Sequence, residues 1–236
     1  GASPRDVGRI DELSYRPRAT LAGPLGRVWT ASLPDYGRWG GPLAWYDPQS
    51  GEKKAYYEIA GEGSCYVLAR VSGRELIAVG TNIAGGSGTQ PRVEQAVLFL
   101  WDCVAEEKVW EGTLARSVAV FNALVTGVDG RLYGTVMGGE EGAELFVFDV
   151  EMRAFVERVA LPEGRPLDLG LQVAADGVLY GFTRSCIYRF DPVKCVVEEI
   201  LREEDGFSVA GPIVGEEIFF ARGHRLWAMD LSVWTG

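Results

Sequence analysis

Two stretches of this 236-residue chain gather the side chains best suited to recognise or transform a ligand. The first, Asp35-Tyr36-Gly37-Arg38-Trp39, sets two aromatic faces beside a carboxylate and a guanidinium. The second runs from Asn82 to Gln95 and offers Asn82, Gln90, Arg92 and Glu94 on a glycine-rich backbone that can approach a ligand closely. Stacking aromatics next to planar hydrogen-bonding groups suit a sugar ring. The same residues could instead serve acid/base chemistry, with Asp35, Glu94 and Tyr36 as the candidate groups. Asn122 and Asp168 join the candidates as residues near the starts of inner strands, at the mouth of a channel. Other chemistry is nearly absent. His224 is the single histidine and sits in the turn Arg222-Gly223-His224-Arg225, so a Ser-His-Asp or Cys-His mechanism would have to run through it. Cys65, Cys103, Cys186 and Cys195 lack metal-ligand spacing and read as free thiols. No phosphate loop and no Asp-x-Asp-x-Asp-Gly run occurs, so neither a metal nor a cofactor is expected.

These residues hang on a repeat. Short apolar runs end in Asp47, Asp102, Asp149, Asp191 and Asp230, 39 to 55 residues apart. Ahead of each lies a turn followed by an apolar pair, clearest in Asp129-Gly130-Arg131-Leu132-Tyr133 and Asp176-Gly177-Val178-Leu179-Tyr180. Asp-Gly between apolar runs is a hairpin signal, because glycine supplies the positive φ of a tight turn. A period of 40 to 50 residues with four short strands per repeat predicts an all-β fold, a β-propeller of five four-stranded blades of about 47 residues. In the third repeat the strands are expected over Val120–Val128, Arg131–Met137, Glu144–Asp149 and Phe155–Leu161.

The blade limits fall at about 16–60, 61–116, 117–164, 165–206 and 207–236. Residues 1–7 read as a tag remnant with a loose tail, and 8–236 as one domain. The last repeat lacks a clear outer strand, so the stretch from Gly8 to Tyr15 is expected to complete it and close the ring. The repeat is broken most where the two candidate stretches lie. Later blades have minimal loops there, Arg184-Ser185 and Gly223-His224, and the third a modest one, Gly138 to Gly142. Long insertions on adjacent repeats mark a binding face.

The formal net charge of −10 excludes the basic stripe that nucleic acid requires. No window approaches 18 consecutive apolar residues, so no helical membrane span is expected. Acid along the outer strands (Glu198, Glu199, Glu203, Glu204, Asp205) reads as a solvated rim.

The string from Ser32 to Pro48, the pairing of Gly85-Gly86-Ser87-Gly88-Thr89 with Leu98-Phe99-Leu100-Trp101-Asp102, and Asp129-Gly130-Arg131-Leu132-Tyr133-Gly134 resemble the WD-like and quinoprotein-like propeller repeats of large bacterial proteins. The resemblance covers the first four blades. It implies a secreted or cell-envelope setting, with a cytoplasmic one as the alternative, and a place in a larger multidomain chain that binds or degrades polysaccharide. The chain is more distantly similar to gluconolactonase and quinoprotein propellers, whose metal ligands and quinone motif find no matching positions here. The expected function is a non-catalytic module that binds a glycan or a partner protein through the insertion-bearing face. The alternatives are a polysaccharide lyase or glycoside hydrolase domain, and a structural scaffold.

Overall fold

The computed structural model describes residues 4–114, 117–138 and 142–234. The expected tag remnant Gly1-Ala2-Ser3 and the centre of the third-repeat loop, residues 139–141, lie outside the described residues. The chain is all-β and runs as successive antiparallel meanders. The first comprises β1 (Ser14–Ala22), β2 (Val28–Pro34), β3 (Leu43–Tyr46) and β4 (Lys53–Tyr56). The second comprises β5 (Ser64–Arg70), β6 (Leu76–Asn82), β7 (Leu98–Asp102) and β8 (Glu107–Gly112). The third comprises β9 (Val120–Thr126), β10 (Leu132–Met137), β11 (Ala143–Asp149) and β12 (Ala154–Ala160). A single bridge, Asn82 to Val120, links these two into one sheet. The fourth holds β13 (Pro166–Val173), β14 (Leu179–Thr183), β15 (Cys186–Asp191) and β16 (Val196–Arg202). The last holds β17 (Val209–Val214), β18 (Glu217–Arg222) and β19 (Arg225–Asp230).

The repeated aspartate makes the turn. Asp47, Asp102, Asp149 and Asp191 each accept backbone N–H bonds from residues two or three further on, at 2.7 to 3.3 Å. The fourth residue after each then takes a left-handed conformation: Gly51, Glu106, Arg153 and Cys195. That extra residue sets the register of the outer strand, so Phe190 faces Val197 and Cys186 faces Arg202. All four cysteines are free.

Aromatic rings fill the junctions between meanders. Tyr56 lies between Trp29 and Trp101, with centroids 6.4 and 4.6 Å away. Trp110 meets Phe148 at 4.7 Å, Tyr133 meets Phe190 at 6.0 Å, and Phe182 meets Phe207 and Phe220 at 5.7 and 5.8 Å. Close ring contact needs room, and glycines supply it in the second strands. A Cβ on Gly134 would stand 2.5 Å from Phe146, and one on Gly181 would stand 2.1 Å from Tyr188.

The expected closure by residues 8–15 does not occur. Asp11 instead accepts the N–H groups of Leu13 and Ser14 at 2.6 and 2.9 Å, and this turn feeds the chain directly into β1 beside β2. The residues before the turn lie along the first meander. Lys53 donates to the carbonyls of Val7 and Arg9, Arg5 to the Tyr46 hydroxyl at 2.9 Å, and the Tyr57 hydroxyl to Asp11 at 3.2 Å. The physical reason is local: the Asp11 turn leads straight into β1, whose pairing with β2 places it in the first meander, so it is not available to the last. At the other end Val209, Val214, Leu226 and Trp227 stand exposed on the last meander. Among the described residues that sheet has three strands.

Candidate functional site

The two insertions are zipped together. Gly37 N–H donates to the Ser87 carbonyl at 3.0 Å, and Gly86 N–H to the Arg38 carbonyl at 2.8 Å. Gly86 makes this approach possible, since a Cβ there would stand 1.9 Å from the Asp35 carbonyl oxygen. The Trp39 indole N–H donates to the Gln90 carbonyl at 2.8 Å. The Arg92 guanidinium lies 3.5 Å from the Trp39 ring centroid and pairs with Glu62 at 2.7 Å. Trp39 is thus a staple between loops as well as a surface, with one face taken by Arg92.

Beside it opens a cleft of about 510 Å³ between the N-terminal segment and the first insertion. Arg9, Glu12, Asp35, Arg38, Trp39 and Tyr57 line it, with Glu58 in a left-handed conformation at its edge. Of the expected residues, Asp35, Arg38 and Trp39 meet here. Tyr36 is 69% exposed and lies over Gly88, outside the cleft. Gln90 and Arg92 reach the site through Trp39. Asn82 is spent locally, its side-chain oxygen accepting the Ala84 N–H at 2.8 Å. Glu94 is exposed and does not line the cleft, so Asp35, Tyr36 and Glu94 do not converge on it. Sequence reasoning passed over Arg9, Glu12 and Tyr57, because nothing local says that the N-terminal segment folds back over the first meander.

Asn122 and Asp168 belong to a second cluster. The Asp168 carboxylate accepts the Tyr66 hydroxyl at 2.7 Å and the Asn122 side-chain N–H at 2.8 Å. One carboxylate therefore ties β5, β9 and β13 together. Arg18 of β1 sits 5.5 Å from the Tyr66 ring centroid. Each of these residues lies where pairing with the second strand slips: Arg18 between Pro17 and Ala19, Tyr66 between Cys65 and Val67, Asn122 between Phe121 and Ala123, Asp168 between Pro166 and Leu171. β17 slips at the same level, over Gly211 and Pro212. A bulge re-aims a side chain, so a repeated bulge turns one residue per inner strand toward a shared mouth. Burial first, and then the bond to Asp168, push the Tyr66 hydroxyl up to about 12, which keeps it a donor at neutral pH. Tyr66 was legible in principle: it is the third residue of its strand, as Asn122 and Asp168 are of theirs.

No family model matches the chain, and no curated protein matches it. Solved structures do. The chain is similar to the WD40 repeats of RRP9, at 14% identity with a TM-score of 0.67, over 95% of this chain and 62% of that one. The fold is a WD40-like β-propeller. A gluconolactonase from Xanthomonas campestris aligns at 16% identity with a TM-score of 0.63, over 91% of this chain and 71% of that one. The extracellular domain of BT4673 from B. thetaiotaomicron aligns at 15% identity with a TM-score of 0.68, over 93% of this chain and 29% of that one. The chain therefore spans about three fifths of the RRP9 repeats and under a third of the BT4673 domain. At these identities the likeness is one of fold.

Proposed function

We propose that the chain is a propeller module of five blades of about 47 residues that binds a carbohydrate through its insertion-bearing face. The observation that carries this is the cleft beside Trp39, where a half-buried indole is ringed by Arg9, Glu12, Asp35 and Arg38. An aromatic edge with donors and acceptors around it suits a ligand that is apolar across its ring and polar at its rim. The loop-to-loop bonds hold that arrangement before any ligand arrives, which lowers the ordering cost of binding. One similar structure is described as a gluconolactonase important in glucose secondary metabolic pathways, which supports a sugar-class ligand, and another is an extracellular domain, which supports a setting outside the cell.

A glycan array probed with the purified chain tests the proposal. A bound glycan is expected, and Trp39→Ala should weaken it by about 1 to 3 kcal/mol, the scale of a stacked ring. Absence of any bound glycan, or unchanged affinity in Trp39→Ala, would contradict the proposal and favour a protein partner on the same face.

A further inference from the structure

Two arginines near Asp168 break an ordinary rule of charge placement. Arg165 and Arg184 flank the first pair of the β13–β14 ladder and are joined by the bond from Arg184 N–H to the Arg165 carbonyl at 2.8 Å. Like charges set across a strand pair repel. The chain carries 33 acidic residues, yet among the described residues neither guanidinium meets a carboxylate within ion-pair distance. The nearby acids are committed elsewhere: Glu163 to Arg202 at 3.7 Å, Glu203 and Asp205 to Arg222 at 2.8 and 4.0 Å. Both arginines line a cleft of about 400 Å³ at the channel mouth, together with Asp168, Ser208 and Val209. Arg165 is also close enough to the Tyr66 hydroxyl to act on it electrostatically.

Asp168 supplies an acceptor beside them. It is exposed in the same cleft, and its carboxylate, which already accepts from Tyr66 and Asn122, keeps further lone pairs for a donor. The mouth thus offers two guanidinium groups with no carboxylate partner among the described residues, beside one carboxylate that can accept from a hydroxyl.

We propose that this mouth is a binding site for a small hydroxylated carboxylate of the sugar-acid class. The carboxylate lies between Arg165 and Arg184, whose planar guanidinium groups match its two oxygens. A hydroxyl of the ligand donates to the Asp168 carboxylate, and Ser208 supplies a further hydroxyl. Asp168 stands at the bulge of β13, while Arg165, Arg184 and Ser208 lie in the connections at the strand ends, which the bonds from Arg184 N–H to the Arg165 carbonyl and from Phe207 N–H to the Arg184 carbonyl, both 2.8 Å, hold together. The site uses none of the residues of the Trp39 cleft and stands or falls separately.

The test is calorimetric titration at neutral pH with D-glucuronate as probe, and D-glucose and acetate as controls. Saturable binding of glucuronate is expected, with glucose and acetate each at least about tenfold weaker, the loss of one charged contact or of the hydroxyl set. Arg165→Gln and Arg184→Gln, both exposed and so free of folding cost, should each weaken glucuronate about tenfold or more. Leu226→Lys, on the exposed face of the last meander, should leave it unchanged. Three results would overturn the proposal: no glucuronate binding at millimolar concentration, equal affinity for glucose, or undiminished binding in the Arg165→Gln/Arg184→Gln double variant.

Discussion

Trp39 and Trp101 share a side chain and differ in what surrounds it. Trp101 is 4% exposed and packs on Tyr56 at a junction between meanders. Trp39 is half-buried and joins two loops through one hydrogen bond and one guanidinium. Trp101→Ala should therefore cost roughly 3 to 5 kcal/mol of stability as a core truncation. Trp39→Ala should cost only about 1 kcal/mol, the worth of one net hydrogen bond. Denaturant melts of both variants compare them directly, and equal losses would make Trp39 a structural residue. Gly181 gives a second contrast at this scale. Its φ needs no glycine, so Gly181→Ala should fail for space alone, against the buried Tyr188 ring. Overpacking of this kind costs about 1 to 3 kcal/mol. A melt equal to that of the parent chain would show that Tyr188 can move aside.

The turns between third and fourth strands are the unit at the element scale. Bonds from the Gln49 and Met152 N–H groups hold the carboxylates of Asp47 and Asp149 below their ordinary range. The hydroxyl and N–H of Ser232 do the same for Asp230. Groups lowered in the folded state stabilise it above their unfolded value, near 4, and lose that contribution as pH falls through the folded value. Stability should thus hold level from neutral pH to about 5 and decline below about 4. Asp149→Asn, which keeps the acceptor oxygen and removes the charge, should flatten part of that decline. Thermal melts across the range check it; an unaltered acid limb in the variant would contradict the role of this carboxylate. The aspartates were legible in the sequence as a period and as turn formers. The left-handed residue four positions on was not, because Glu106, Arg153 and Cys195 carry no glycine signature. For that reason a plain turn over Asp191–Lys194, which sets Phe190 opposite Cys195 and Cys186 opposite Glu199, gives the wrong register, since they face Val197 and Arg202, whereas the strands of the third meander were legible to within two residues at each end.

Across the whole molecule the two ends of the propeller are treated differently. The N-terminal segment lies along the first meander, while the last leaves Leu226 76% exposed. Removing residues 1–13 should free Lys53, Tyr46 and Tyr57 of their long-range partners and lower the melting temperature. Leu226→Lys should change stability by less than about 0.5 kcal/mol. If the truncated chain melts like the parent, the segment is an appendage and not a cover. The sequence carried the repeat and pointed to the insertions, since both are matters of spacing and turn chemistry. It did not carry the fold-back of residues 4–13, which depends on a few long-range bonds, from Lys53 and Tyr57 to the segment and from Arg5 to the Tyr46 hydroxyl.

The claim that joins these scales is that ligand binds at the insertion-bearing end. Two-dimensional NMR of the labelled chain, titrated with a soluble oligosaccharide selected on the glycan array, tests it most directly. The Trp39 indole N–H and the amides of Arg38, Gly40 and Tyr57 should shift, while those of the Asp129-Gly130 turn at the opposite end stay in place. Shifts confined to that turn, or to the exposed face of β17–β19, would contradict the account.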